Sequence, residues 1–294
     1  MSLVQGMVAM TCEVMGLGLQ ADTMGRAEDD TMQVGGLIRQ WRQQRRLSQA
    51  RLAYSAEVSP RHLSCLETGK SRPSRQMLLV LASALDVPLR ERNVWLTAAG
   101  FAPAYPESDL FSDEHTAVRH AVELVVKHAP YGAIAIDRQW TVLMLDEAWE
   151  PFRQALMPRP LRVGDNLLEH TLAMDGLRPL LTNWEDVARA TLERLRREAI
   201  ATGDAGLEAL FERLVRLPGV PEDWQIAQPQ RAEQLVVPVR LRAHGLDLSL
   251  FTTLTTVGTP VDVTLSEIRV ESYYPADEAS LALMTAMREG TLSF

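Results

Sequence analysis

Arg45-Arg46-Leu47-Ser48-Gln49, then Ala53, then Val58-Ser59-Pro60-Arg61-His62-Leu63-Ser64, then Glu67-Thr68-Gly69-Lys70 and Pro73 form the stretch that decides the first fold in this chain. It reads as three short helices, the second and third forming a helix-turn-helix, a motif that lays one helix in the DNA major groove. Val34 to Arg46 carries Leu37, Ile38 and Trp41 at helical spacing, with Arg39, Arg42, Arg45 and Arg46 largely on the other faces. Ser48 is the expected N-cap of a helix from Gln49 to Ala56. Ser59 before Pro60 is a stronger start, because proline at the first helical position has no amide hydrogen to lose. The helix from Pro60 to Glu67 should turn Leu63 and Leu66 inward and leave Arg61, His62 and Cys65 outward. Gly69 suits the left-handed position just past its end, and Ser74 should cap a last helix whose stripe is Met77, Leu78, Leu81 and Leu85.

Charge sorts with this motif. Residues 34–100 hold eleven Arg or Lys against four Asp or Glu, a net of +7, while the chain as a whole carries −8, so the remainder sums to −15. A basic module on an acidic protein is the electrostatic footprint of a DNA reader. An acidic remainder argues against a second nucleic-acid surface and against adsorption to an anionic membrane.

Val34 to Leu85 closely resembles the Cro/repressor-like (XRE) helix-turn-helix domains of bacterial regulators. In that setting Pro60, Arg61, His62 and Cys65 are the candidate base-reading positions. Arg61 is the best placed for a bidentate contact to guanine. Arg45, Gln49, Ser59, Lys70 and Arg72 are the candidates for gripping the phosphate backbone. Double-stranded operator DNA is the implied partner, read by a homodimer, since two-fold half-sites mirror two-fold proteins.

At 294 residues the chain has room for about two domains, and 46% hydrophobic content suffices for packed cores. Cys12 and Cys65 are its two cysteines, which excludes a disulfide framework or a cysteine metal cluster and suits a cytoplasmic protein. No apolar run approaches the roughly 18 residues of a membrane span. Residues 1–31 contain Glu13 in a mildly apolar run and lack a basic leader, so they are read as a disordered or mis-annotated extension, not a signal peptide. The expected organisation is 32–100 for the DNA-binding domain, 101–108 for a proline-bearing connector and 109–294 for a second domain.

In the second domain a three-turn helix with Val118, Val122, Leu124, Val125 and Val126 precedes two strands, Tyr131 to Ile136 and Trp140 to Leu145. Asp146 then opens a short helix. Asp165 to Leu181, Trp184 to Ala201 and Gly206 to Leu217 read as helices. Gln234 to Arg242, the strand of Leu246, Leu248 and Leu250 after the His244-Gly245 turn, and Val261 to Tyr273 read as strands, and Ala279 to Arg288 as a closing helix. The expected class is α+β: an all-α bundle followed by a PAS-like domain whose five-stranded antiparallel sheet has helices over one face.

More specific segments sharpen this. Glu91-Arg92-Asn93 with Ala98-Ala99-Gly100-Phe101-Ala102-Pro103, Met174-Asp175-Gly176-Leu177-Arg178-Pro179-Leu180, Asn183-Trp184, and Arg194-Leu195-Arg196-Arg197-Glu198 are all similar to regulators carrying a MmyB-like ligand-binding domain. So are Gly258-Thr259-Pro260-Val261-Asp262-Val263-Thr264-Leu265 and Glu271-Ser272-Tyr273-Tyr274-Pro275-Ala276-Asp277. The resemblance spans about Val34 to Met284. It implies a PAS-like second domain that binds a small apolar ligand, with a fatty acid as one candidate. Asp146 departs from it, standing where relatives place Asn, so an acceptor-only carboxylate replaces an amide.

Candidate pocket residues are Ile134, Ile136, Leu143, Leu145, Leu168, Leu172, Trp184, Val187, Leu248 and Leu250; each would serve equally well as filled core. Arg178, or the Arg194, Arg196 and Arg197 cluster, would pair a ligand carboxylate. Among the six histidines no metal spacing occurs; a haem sensor would need an axial ligand such as His128 or His170. The paired carboxylates Asp146-Glu147 and Glu185-Asp186 begin helices, where acidic residues suit the dipole. No cofactor and no enzymatic activity is expected. The reading is a one-component transcription regulator that senses a small apolar molecule. The alternative is a DNA-binding regulator whose second domain only dimerises or binds another protein.

Overall fold

The computed structural model of the protein describes residues 33–225, 236–258 and 260–291. The readings placed on residues 1–31 and on Gln234 and Leu235 lie outside them. The chain divides into two compact units between Pro106 and Glu107.

The first unit is all helix: α1 (33–44), α2 (Gln49–Ser55), α3 (Pro60–Glu67), α4 (Arg75–Ala84) and α5 (Leu89–Ala98). Its boundaries are written in serines. Ser48 accepts from the Arg51 N–H at 3.1 Å, Ser59 from that of His62 at 3.1 Å and Ser74 from that of Met77 at 3.2 Å. Each such cap contributes about 1 kcal/mol. Ile38, Leu52, Leu63, Leu66, Leu78, Leu81 and Trp95 fill one core. Gly35 lets α1 lie against α3: a Cβ there would sit 2.4 Å from the Leu66 carbonyl oxygen. Gly69 takes φ 71° after α3, as the end of that helix requires.

Residues read as connector are tied to this unit. The Asn93 side chain brackets the backbone of Ala104 and Tyr105, donating to the Tyr105 carbonyl at 2.7 Å and accepting from both N–H groups. Arg92 donates to the Tyr105 hydroxyl at 3.2 Å.

The second unit runs α6 (Thr116–Lys127), β1 (Ala133–Ile136), β2 (Val142–Leu145), α7 (Glu150–Leu156), α8 (Leu167–Leu172), α9 (Trp184–Thr202), α10 (Ala205–Val215), β3 (Val239–Ala243), β4 (Leu246–Thr256), α11 (Val263–Glu267), β5 (Arg269–Pro275) and α12 (Glu278–Arg288). The strands form one antiparallel sheet in the order β2-β1-β5-β4-β3. The class is therefore α+β, as the sequence indicates.

Helices cover both faces of the sheet, not one. Ile134 and Ile136 point into a core with Leu168, Leu192, Leu195, Leu207 and Leu210, while Ala133 and Ala135 meet Val122 and Val126 of α6. This is why every residue of β1 is buried. Small alanines on the α6 side and isoleucines on the other match the two depths.

Two helix-or-strand expectations fail for identifiable reasons. The helix expected over Asp165 to Leu181 stops at Leu172, where Ala173 turns extended. Gly176 then folds back so closely that a Cβ would lie 2.0 Å from the His170 carbonyl oxygen. A 3-10 turn over Arg178–Leu180 follows. The strand expected from Val261 begins only at Arg269, because Asp262 caps α11, accepting from the Leu265 N–H at 3.1 Å. Val261 is 77% exposed while Val263 is fully buried, which no alternating strand would produce.

Candidate functional site

The helix-turn-helix presents α3 as designed by its ends. Leu63 and Leu66 are buried, Pro60 and Arg61 are exposed, and His62 and Cys65 are half-buried beside them. Ser59 serves as the cap of α3, and Lys70 is exposed just past its end. Arg45, Gln49 and Arg72 have work inside the unit. Arg45 donates to the carbonyls of Leu85 and Asp86, both at 3.0 Å, and lies over the Trp41 ring. Gln49 donates to Glu67 at 2.8 Å and Arg72 to the Ala99 carbonyl at 3.0 Å. Arg61 and Lys70 are exposed at the two ends of α3, and Arg72 beyond them is exposed as well.

Beneath α3 lies a buried ion pair. Glu67 receives Arg42 in a two-pronged contact, Nε to Oε1 at 2.6 Å and Nη2 to Oε2 at 2.9 Å. Burial alone would raise the Glu67 carboxyl, but the bonds from Arg42 and Gln49 and the charges of Arg42 and Arg39 outweigh it and hold it below the ordinary range.

In the second unit a cavity of about 120 Å³ opens between the sheet and the segment that carries α7 and α8. Of the candidate pocket residues, Ile134, Leu248 and Leu250 line it; with them stand Trp149, Phe152, Leu241 and Tyr273. Other expected wall residues are elsewhere. Ile136, Leu168 and Leu172 are filled core with α9 and α10, Leu145 packs on that core, and Leu143 faces the α6 side of the sheet. Trp184 and Val187 belong to the apolar cluster around Leu241, Leu248 and Met284 but do not reach the cavity.

Of the arginines named for a ligand carboxylate, Arg178, Arg194 and Arg196 lie over tryptophan rings and Arg197 is exposed. Arg178 stacks 3.8 Å over Trp184 and donates to the Pro218 carbonyl. Arg194 and Arg269 lie over the Trp140 ring at 4.3 and 4.4 Å, and Arg196 lies over Trp224. None of them lines the cavity.

The ionisable groups of Asp146, Arg153 and His170, all buried, line it together with the hydroxyl-bearing Tyr131, Thr171 and Tyr273. Arg153 donates Nη1 to the Asp146 carbonyl at 2.9 Å and Nη2 to Glu150. His170 lies 2.7 Å by Nε2 from the Arg159 carbonyl. A carbonyl only accepts, so Nε2 carries a proton, and burial pushes the imidazole pKa down, which favours the neutral ring. Arg153 escaped the sequence reading because a charged residue on a short amphipathic helix looks like surface. One signal was present: Gly132, at φ 96°, where a Cβ would lie 2.7 Å from the Trp149 Nε1, marks close approach to this segment. Among the described residues no cluster of His, Cys, Asp and Glu could hold a metal ion.

A helix-turn-helix on a basic unit, beside a separate α+β unit with an apolar cavity, defines a DNA-binding regulator with a small-molecule-binding module. Comparison with known families is concordant. A helix-turn-helix domain family matches residues 33–95. The family described as the MmyB-like transcription regulator ligand binding domain matches residues 118–286, more than half of the chain. The chain belongs to the MmyB-like transcription regulators. It is also 38% identical over 61 residues to multiprotein-bridging factor 1 of Candida albicans, a match that covers 21% of this chain and 40% of that protein. These are families of transcription regulators, not of enzymes. No helix among the described residues is long and apolar enough to cross a membrane.

Proposed function

We propose that this protein is a one-component regulator in which a homodimer reads operator DNA through α3 and responds to a small apolar molecule held in the second unit. The observation that carries the sensing half is the cavity at Ile134, Leu248 and Leu250, whose mainly apolar wall includes a few polar residues, Asp146, Arg153, His170, Thr171, Tyr131 and Tyr273. Pockets of this make-up, with few polar groups in an apolar wall, are typical of ligand sites. A fatty acid is one candidate occupant. The ligand must favour one conformation of the regulator over another to act as a signal. Mass spectrometry of organic extracts from the purified protein, with melts against apolar metabolites including fatty acids, tests this. An empty extract and an unmoved melt would leave the second unit as an interaction module.

For DNA reading, Arg61→Ala should lose about 1–3 kcal/mol of discrimination between operator and scrambled DNA while the circular-dichroism spectrum stays unchanged. Unaltered sequence preference would remove Arg61 from the base-reading set. Lys70→Ala should instead weaken all duplexes alike and reduce the slope of log affinity against log salt by roughly one unit. A loss confined to the operator would contradict the phosphate role.

A further inference from the structure

We infer that Phe152 sets the length limit of the ligand: its ring closes the cavity at one end, so that affinity stops rising with chain length at about six carbons. This rests on the ligand-sensing reading and specifies which ligands the same cavity admits.

A second, smaller space of about 10 Å³ lies beside the cavity. The two share three wall residues, Phe152, Leu241 and Leu248. Leu241 and Leu248 are partners in register on β3 and β4, and both are buried. The sheet's backbone hydrogen bonds hold them in place. Phe152 comes from α7, where it joins the apolar cluster around those two leucines and meets the Trp149 ring edge-on at 5.8 Å between centroids. Of the three shared side chains it is the largest, and the one not rooted in the sheet.

The cavity runs across the sheet, with Ile134 on β1, Tyr273 on β5, Leu250 on β4 and Leu241 on β3, in the order of the strands. The second space continues that line to Ala243 and Leu246 at the β3–β4 turn, with Leu283 and Met287 of α12. Every side chain lining it is apolar, so it suits the continuation of a hydrocarbon chain. Alone it has room for about one water. Size sets the limit on the other side of the ring. About 120 Å³ is somewhat less than the roughly 150 Å³ cavity that accommodates benzene, a molecule of about six carbons' bulk. Truncating Phe152 vacates the volume of one phenyl ring between the two spaces and joins them.

The experiment titrates the full chain with n-butanol, n-hexanol, n-octanol and n-decanol and with the matching carboxylic acids, followed by ligand-observed NMR. Two series are used so that the result does not depend on the head group. For wild type, affinity should rise about fourfold per methylene up to the six-carbon member and then stop rising. In Phe152→Ala the rise should continue, the eight-carbon member binding about tenfold tighter than the six-carbon one. Adding Leu283→Phe to Phe152→Ala fills the second space and should return the break to six carbons, which a general loosening of the unit would not do. Melts of each variant are recorded, and Phe152→Leu, a milder truncation, carries the test if Phe152→Ala does not fold. A wild type whose affinity climbs steadily to decanol or decanoate overturns the inference and leaves sensing standing. So does a folded truncation whose break stays at six carbons. If neither series binds any form of the protein, the sensing reading falls with it.

Discussion

Glu67→Leu is expected to destabilise the helix-turn-helix unit by about 3–5 kcal/mol, the cost of removing one partner of a buried ion pair. A typical domain has only about 5–15 kcal/mol in total, so the variant should melt at a clearly lower temperature and lose DNA binding as it unfolds. The Glu67 side chain is 2% exposed and that of Arg42 11%. Without Glu67, the guanidinium keeps only its bond to the Leu47 carbonyl, and Gln49 loses its acceptor. Replacing both partners, Arg42→Met with Glu67→Leu, should recover much of the loss, because it removes the stranded charge and not merely its partner. A double variant no more stable than Glu67→Leu alone would show that the damage lies in packing and not in charge. The pair also sets a pH response. Glu67 titrates lower in the folded state than unfolded, so its contribution is complete above the unfolded carboxyl range and is lost as pH falls through the folded value. Wild type should therefore lose stability on acidification, and Glu67→Leu should lack that part of the loss.

The helix-turn-helix was legible because its signals are local. A serine before each of α2, α3 and α4 supplies a cap within three residues, and all three caps form. The sheet was legible where a turn fixed the register: His244 and Gly245 both take positive φ, and Leu248 pairs with Leu241 across it. Where two local signals competed, alternation misled. Val261, Val263 and Leu265 alternate like a strand, yet the Asp262 cap wins and makes α11. Distant contacts were least legible. That Arg178 serves Trp184 and Pro218, or that Gln49 serves Glu67, depends on side chains brought together only by the fold. The cavity has the same difficulty. Ile134 and Ile136 are two residues apart on one strand face, but only Ile134 borders empty space, and no periodicity separates a residue beside a void from one beside a leucine.

That distinction makes Leu250→Trp the most informative change in the second unit. Leu250 lies on β4, nearly buried, with its side chain in the apolar cluster that borders the cavity. In a filled core the larger indole would force neighbours off their rotamers and cost about 1–3 kcal/mol. Beside about 120 Å³ of unfilled space it can be taken up with much less strain. Stability of the free protein should therefore change by less than about 1 kcal/mol. The response to ligand should vanish. For wild type, ligand at a hundred times its dissociation constant adds about 2.7 kcal/mol, which raises the melting temperature of a unit this size by roughly 5–10 °C. In Leu250→Trp the same concentration should leave the melt within about 1 °C. Ile136→Trp is the matched control, since Ile136 is fully buried in the core on the same strand face as Ile134; it should strain that core and lower the melt without ligand. Equal destabilisation by the two changes would mean that the space beside Leu250 is packed in solution. A stable Leu250→Trp protein that still gains the full shift would place the ligand somewhere other than this cavity.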